Sequence, residues 1–407
     1  MHILAFTHYF PPEVNAPALR LSEHAREWVR LGHRVTIVTG PPNHPDGKVY
    51  PGFRNRLFHR EEIDGVEVIR VWTYLAANQG FLPRIANYVS FMLSAGLQGW
   101  RLPRADVVLS TSPQFFCGLT GWLFARRHRP WVLEIRDLWP ESIIAVGAMK
   151  RGFVIRALER IERAAYRRAD LVVSVTDGFI AHIAPHRSGK PIEVIKNGAD
   201  LSRFTDPDLA AAMAFRIEYG LTGKFVASYV GTHGMAHGLD ALLDAAALLR
   251  DRSDITILMV GGGSERARLV AERDGLQLNN VVMVDQLPSA MMPVVLAASD
   301  ISLVLLKRLD TFRTVIPSKM FETMASRRPM ILGVEGEARA ILDASDAGIA
   351  ITPEDAAELA KAIIYLADHP DEVARHAATG HAYVAAEFDR SILAGRMAAA
   401  CERLLAR

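Results

Sequence analysis

Apolar positions along this chain fall into two alternating rhythms. Short, continuous, β-branched runs recur at residues 2–6, 34–39, 66–72, 106–110, 131–135, 171–175 and 192–195. Between them the apolar residues spread to spacings of three and four over 18–31, 83–101, 115–127, 153–168 and 177–184. The first pattern predicts strands buried on both faces and the second predicts amphipathic helices. A stretch rich in Pro, Gly, Asn and Asp, 41–51, predicts a flexible surface loop. The rhythm then restarts, with strands expected at 225–230, 255–260, 281–285, 301–306, 330–334 and 348–351. Helices are expected between them at 238–250, 264–274, 289–298, 317–327, 338–343 and 354–367. The turn-rich segment NGADLSRFTDPD, 197–208, separates the two halves, and a last helical pattern at 390–405 has no strand after it. The expected fold class is α/β, with two Rossmann-like, doubly wound parallel-sheet domains facing a cleft. Their expected extents are 1–198 and 199–389, with 390–407 packing back on the first. Ligands in such sheets bind at the carboxyl ends of the strands, which directs attention to the loops there.

Composition narrows the class without changing this picture. Half of the 407 residues are hydrophobic and 23% are charged, the balance of a soluble globular protein. Met1 leads directly into an apolar strand, which predicts no signal peptide. Residues 85–100 are uncharged but fall short of the ~20 apolar residues that a membrane span needs. The two cysteines, Cys117 and Cys401, give neither a disulfide framework nor a metal spacing, and the fourteen histidines form no ligand cluster. A reducing, cytoplasmic location and no bound metal are therefore expected. Charge does add something. Residues 1–205 hold 27 Lys and Arg against 18 Asp and Glu, and the remainder hold 20 against 27. A basic half beside an acidic half suggests that the first half meets something anionic.

Four stretches carry candidate chemistry. In TVIPSKMFETMASRRPMIL, 314–332, Pro317 is expected in the first turn of a helix that Pro329 stops, with Arg327 and Arg328 at its negative end. Ser318, Lys319 and Glu322 would share a polar face, equipped to hold a phosphate and a neighbouring hydroxyl. The ordinary polar stripe of an amphipathic helix is the alternative. The loop Gly231-Thr232-His233-Gly234-Met235-Ala236-His237-Gly238 is expected to be mobile and to expose N–H groups to a diphosphate; a plain surface loop is the alternative. Gly261-Gly262-Gly263-Ser264 closes a strand and opens a helix, again an anion cradle or simply a tight turn. It lacks the dinucleotide fingerprint, because Arg266 stands where the third glycine would fall. Finally, EIRDLWPE, 134–141, ends a strand with Arg136 and Asp137 placed for substrate or for a structural ion pair. The first strand's loop adds His8, Glu13 and Asn15 among three prolines.

Two further segments address a partner. Residues 83–101, opened by Pro83 and closed by Arg101, are apolar and carry Tyr and Trp. Residues 153–168 present Arg156, Arg160, Arg163 and Arg167 at helical spacing. Such faces suit an anionic bilayer surface, the alternatives being a solvated charged face and a buried helix. No nucleic-acid reader motif accompanies the charge, and no nucleic-acid partner is expected.

Together these motifs resemble glycosyltransferase family 4, the retaining transferases of the GT-B fold. The resemblance rests on HYFPPEVNAPALR, RDLWPES, IKNGADLSRF and PSKMFETMASRRPMIL, and covers almost the whole chain. RDLWPE and VIPSKMFE look most like the bacterial surface-polysaccharide subgroup that includes fucosamine transferases and O-antigen synthesis. The resemblance implies a hexosyltransferase that moves a sugar from a UDP-sugar to a lipid-linked or glycan acceptor. No metal or other cofactor is implied, and a peripheral position on the inner face of the cytoplasmic membrane is compatible with it. Glu322 matches the second glutamate of the family's E-x7-E motif, which binds the nucleotide ribose. The first glutamate, which contacts the donor sugar, is replaced by Thr314, so a deoxy or acetamido sugar would fit. The diphosphate cations would fall near Thr232 and His237, which leaves His233, His237 and Lys319 as candidates. They would be helped by Gly231, Gly262 and the backbone of Thr314, Val315, Ile316, Pro317 and Ser318. Leu287 and Ser289 match the loop that reads the base. Asp137 falls at the acceptor-side His-Asp position, with Arg136 in place of the histidine. A UDP-sugar epimerase of the same fold and a catalytically inactive membrane scaffold are the competing readings.

Overall fold

A computed structural model describes residues 1–44, 46–76, 81–126, 129–145, 149 and 152–406. The chain divides into two compact units, Met1–Lys196 with Ser391–Arg407, and Asn197–Arg390. In the first unit the strands are β1 (His2–Phe6), β2 (Arg34–Thr39), β3 (Phe58–Ile63), β4 (Val66–Val71), β5 (Val107–Thr111), β6 (Trp131–Ile135), β7 (Leu171–Ser174) and β8 (Ile192–Val194). Its helices are α1 (Ala16–Arg30), α2 (Phe81–Leu97), α3 (Phe115–Phe124), α4 (Glu141–Ala145), α5 (Phe153–Arg168) and α6 (Ile180–Ile183). The second unit holds β9 (Phe225–Val230), β10 (Ile255–Val260), β11 (Val281–Val284), β12 (Ile301–Leu305), β13 (Met330–Gly333) and β14 (Gly348–Ala350). Its helices are α7 (Leu209–Glu218), α8 (Asp240–Leu248), α9 (Arg266–Gly275), α10 (Met292–Ala297), α11 (Lys319–Ala325), α12 (Glu337–Ser345), α13 (Ala356–Asp368) and α14 (Pro370–Glu387). The terminal helix α15 (Arg390–Leu405) begins at the boundary and runs in the first unit.

The first sheet has the order β3-β4-β2-β1-β5-β6-β7-β8, and the second β11-β10-β9-β12-β13-β14. Pairing is parallel throughout except at β3, which runs antiparallel to β4. That hairpin departs from the all-parallel expectation. Ile63 pairs with Val66 across a two-residue turn in which Asp64 and Gly65 both take positive φ, 52° and 76°. An Asp-Gly pair is the ordinary sequence for such a turn. The edge strand FHREEI is half exposed and mostly polar, so it gives no apolar run to detect.

Burial explains why the central strands read as continuous hydrophobic runs. β1, β5, β6 and β7 are buried at every position, and β10 and β12 likewise. One face of the first sheet packs under α2, α3 and α5, with Phe6 stacked on Phe124 at 4.7 Å. The other face packs under α1 and α15, where the fully buried Trp28 donates its indole N–H to the Ala394 carbonyl at 2.9 Å. In the second unit α8 and α13 cover one face, while α7, α10, α11 and α14 cover the other.

Several expected elements shift. The loop at 41–51 is not a free surface loop at its start. Pro41, Pro42 and Asn43 are buried, and Asn43 and His44 donate backbone N–H groups to Glu13 at 2.9 and 3.0 Å. The expected helix 115–127 ends at Phe124, residues 127 and 128 lying outside the described residues. α7 and α14 go undetected by periodicity, α7 because its large apolar residues Leu209, Met213 and Ile217 face solvent, and α14 because it is Ala-rich with few large apolar residues. In α14, Gly380 lets the helix approach Ala347, whose methyl would lie 2.7 Å from a Cβ placed there.

Candidate active site

In the second unit, two strand ends and the start of a helix bring the sequence-predicted residues together. β9 runs into Gly231 (φ +144°), and β10 into Gly261 (φ +149°) and Gly263 (φ +150°). A Cβ on Gly261 would sit 1.9 Å from the Gly231 carbonyl oxygen, and one on Gly263 2.3 Å from that of His233. Only glycine permits this backbone on grounds of both φ and space. The two loops are then laced by hydrogen bonds, from His233 N–H to Gly262 O at 2.8 Å and from Glu265 N–H to His233 O at 3.0 Å. The N–H of Gly231 goes to Val260 O and that of His237 to Gly234 O. The amides of Gly231, His233, His237 and Glu265 are therefore engaged inside the loops.

Lys319 reaches this knot from the start of α11. Met320, Phe321 and Met324 fill the core, which turns Lys319 and Glu322, one turn apart, away from it. The Lys319 ammonium lies 4.0 Å from the centre of the Tyr229 ring, and a Cβ on Gly231 would stand 2.9 Å from Nζ. Gly231 thus leaves the space that the amine occupies. Nζ is buried with no hydrogen-bond acceptor. Burial pushes its pKa down to about 8, with Glu322 acting in the opposite direction. His233 is fully buried, and neither ring nitrogen has a partner. Burial first, then Arg266, Lys319 and His237, push its pKa to about 4. His237, whose Nδ1 lies 3.3 Å from Leu305 O, is pushed equally low by burial and then by Lys319. At neutral pH the two imidazoles are uncharged, which leaves Lys319 as the cation of the three.

The segment ahead of α11 differs from its expected form. α11 begins at Lys319, so Pro317 precedes the helix instead of sitting in its first turn. Arg327 takes φ +53° just past the helix end. Its N–H bonds to Met324 O and that of Arg328 to Thr323 O, a Schellman closure with arginine where glycine is usual. Arg328 caps the neighbouring α10, donating to the Leu296 and Ala297 carbonyls. Thr314 ends a 3-10 turn, and Val315 returns its N–H to Phe312 O. The course of this loop is set by Gly336 (φ +74°), where a Cβ would meet the Arg313 carbonyl oxygen at 2.0 Å. Ile316 and Ser318 are half-buried beside it.

On the other side of the glycine knot, Leu287 is half-buried against the α7–α10 cluster. Ser289 accepts from Arg203 through its carbonyl (3.1 Å) and hydroxyl (3.4 Å). Arg203, in the IKNGADLSRF motif, therefore fixes this loop. Arg266 ties the start of α9 to Asp285 at 2.7 Å, while its NH1 is buried without a partner. Sequence reasoning does not single out Tyr229, Arg203 or Gly336, and it notes Arg266 only where a third glycine would fall.

The first unit uses its candidates differently. The buried ion pair at the end of β6 is Arg20–Glu134 (2.9 Å), not Arg136–Asp137. Arg20 also donates to the Ile195 and Lys196 carbonyls, and Thr111 to Glu134. Asp137 turns toward Ser142 and the Leu138 N–H, beside a small cavity under Trp139 and Tyr166; burial raises its pKa to about 6. The Arg136 backbone N–H bonds to Ser112 Oγ at 2.8 Å. Glu13 is buried, with its oxygens taking the Phe10, Asn43 and His44 N–H groups. Asn15 caps α1 through the Ala18 N–H. Glu13 therefore fastens a loop, while Asn15 caps the helix through its oxygen and keeps Nδ2 without a hydrogen-bond partner. His8 is buried among Tyr9, Tyr88 and Phe91, and burial brings its pKa to about 4.

Two Rossmann-like parallel-sheet units of this kind make up the GT-B fold. Solved structures share that fold. Sucrose-phosphate synthase from Thermosynechococcus elongatus has a TM-score of 0.76 at 17% identity, covering 100% of this chain and 99% of its own. HepE from Anabaena, in complex with UDP and glucose, has 0.72 at 18%, covering 98% and 99%. Residues 15–198 match the glycosyl transferase 4-like domain, and residues 224–369 match glycosyl transferases group 1. The chain belongs to glycosyltransferase family 4. Among its relatives are the putative colanic acid biosynthesis glycosyl transferase WcaI of Escherichia coli K12 and the probable glycosyltransferase WbjE of Pseudomonas aeruginosa. The first is 26% identical over 80% of this chain and 81% of the relative, and the second 27% over 68% and 69%.

Proposed function

We propose that this transferase moves a hexosyl group from a UDP-sugar to a lipid-linked or polysaccharide acceptor during bacterial surface-polysaccharide synthesis, with retention and without a metal ion. The observation that carries this reading is the buried, unpartnered Lys319 ammonium at the Gly231 turn. Breaking a sugar–diphosphate bond builds negative charge on the departing diphosphate. A cation already desolvated and held against a fixed backbone favours that separated state over the ground state. Glu322 takes the ribose hydroxyls, and the loop through Leu287 and Ser289, braced by Arg203, takes the base. The acceptor hydroxyl attacks on the side the diphosphate leaves, and the diphosphate accepts its proton. Thr314 in place of a carboxylate favours a deoxy or acetamido sugar, as in fucosamine transfer.

Relatives support the pathway and the donor class. One is named for colanic acid biosynthesis, and one fold neighbour was solved in complex with UDP-glucose. For the acceptor, the first unit offers a helical layer with apolar residues facing outward. Leu97, Trp100, Phe153 and Val154 are exposed at 76, 84, 76 and 53%, and Arg156, Arg160 and Arg163 are exposed on α5. This face suits the cytoplasmic side of an anionic membrane that presents a lipid-linked acceptor. Among the described residues no helix is long and apolar enough to cross a membrane. The test is a panel of nucleotide sugars, with and without membrane lipid extract, read by release of the nucleotide diphosphate. Release from a UDP-sugar that depends on lipid is the expected result. No acceptor-dependent release from any donor would overturn the proposal.

A further inference from the structure

We propose that the donor site takes up a proton from solvent as it takes up a diphosphate, the added charge being shared by Lys319, His233 and His237. This rests on the donor reading above and adds a property that the reading does not require. Its ground is geometric. Around one turn, Gly231–Gly238, lie an ammonium and an imidazole whose polar atoms are buried and unbonded, and a second imidazole with one long contact to a carbonyl. Buried donors without acceptors are rare in folded proteins, and an absent ligand is a standard reason for them.

The surroundings decide what that ligand does to the protons. Arg266 faces His233 from α9, but its charge is already shared with Asp285. Glu322 faces Lys319 from its own helix. On the far side, Lys307 and Glu354 both flank Gly238. Tyr229 contributes only a ring face, and its hydroxyl donates to Thr232 O at 2.8 Å. With each fixed charge accompanied by one of opposite sign, these surroundings favour neutral imidazoles and a partly neutral amine. An anion with two or more negative charges reverses that preference, because opposite charge at close range favours the protonated form. The depressed pKa values of all three groups agree with this balance.

The experiment is titration calorimetry of the full chain with UDP at about pH 8, in buffers of different ionisation enthalpy. There the terminal phosphate of UDP, which titrates near ~6, is fully ionised. Any proton taken up then belongs to the protein. An amine that titrates at about 8 is half charged at that pH. The expected uptake is therefore about half a proton per UDP from Lys319 alone, and more if an imidazole joins it. Affinity is expected to weaken as pH is raised from about 7 to about 9. Lys319→Met should lower the uptake, and His237→Gln should lower it while UDP still binds. UDP binding with no dependence on buffer would overturn the inference and leave the donor reading standing. Uptake at the wild-type value in both variants would overturn it as well. Failure of the wild type to bind UDP at all would overturn both.

Discussion

Replacing Lys319 by methionine should make the protein more stable and nearly inactive. Methionine keeps the length and removes the charge. In the native state the amine titrates at about 8 instead of 10.5 because it is buried. At ~1.4 kcal/mol per unit, holding it charged at pH 7 costs the fold ~3 kcal/mol. The cation–ring contact with Tyr229, at 4.0 Å, returns ~0.5–2 kcal/mol of this. The variant should gain ~1–3 kcal/mol, or roughly 2–4 °C in melting temperature per kcal/mol for a unit of this size. The sign with pH follows from a base whose folded pKa lies below its unfolded one. The native penalty is complete below about 8 and disappears as pH rises towards 10.5. The advantage of the variant should therefore be largest at neutral pH and fade in alkali. Turnover should fall by roughly two to three orders of magnitude, the usual loss when one preorganised donor to a developing anion is removed. Thermal melts of both proteins at about pH 7 and pH 10, beside diphosphate release, test the pair of effects. A variant that is less stable at neutral pH would refute the reasoning, since the lysine would then be holding the fold together.

Glu322→Ala should raise the donor KM roughly 10- to 100-fold, the worth of a hydrogen bond to a charged group, with melting little changed. A folded variant with wild-type kinetics would remove Glu322 from the ribose. Gly263→Ala places a methyl 2.3 Å from the His233 carbonyl oxygen and strains a φ of +150°; urea unfolding should show a loss of at least ~1–3 kcal/mol, with donor binding lost in parallel. Arg20→Met leaves Glu134 buried without its guanidinium partner, a cost of ~3–5 kcal/mol in denaturant midpoint experiments; a loss under 1 kcal/mol would mean the pair is dispensable. Replacing Arg156, Arg160 and Arg163 together by Ser should reduce sedimentation with anionic vesicles but not with neutral ones, and unchanged sedimentation would leave these arginines as solvated charge.

What the sequence discloses here follows burial. Strands such as β10 and β12, covered on both faces, announce themselves as continuous apolar runs, and so the two-sheet architecture is readable from the chain. β3 escapes because an edge strand carries Arg60, Glu61 and Glu62 in place of a hydrophobic run. The site is legible in a similarly uneven way. Lys319 and Glu322 can be placed on one face by helical spacing alone. The engagement of Glu13, by contrast, depends on Asn43 and His44, thirty residues away and beyond any local periodicity. Arg136 and Asp137 look like an ion pair because they are adjacent. They lie just past the end of β6, where Asp137 turns toward Ser142, and the buried ion pair is made instead by Glu134 inside the strand with Arg20 from α1. The neutrality of His233 is likewise a property of its enclosure, which no composition or spacing encodes.

The terminal helix has a consequence for the order in which this protein can be made. α15 covers Trp28 and, with α1, closes one face of the first sheet, yet it is translated only after the whole second unit. A ribosome that adds roughly 5–20 residues per second needs on the order of 10–40 s to pass through the whole second unit before α15 emerges. During that interval the nascent first unit has α1 on that face but lacks the cover that α15 gives Trp28. The second unit, encoded without interruption from Asn197 to Arg390, can reach its native state first, although it is translated second.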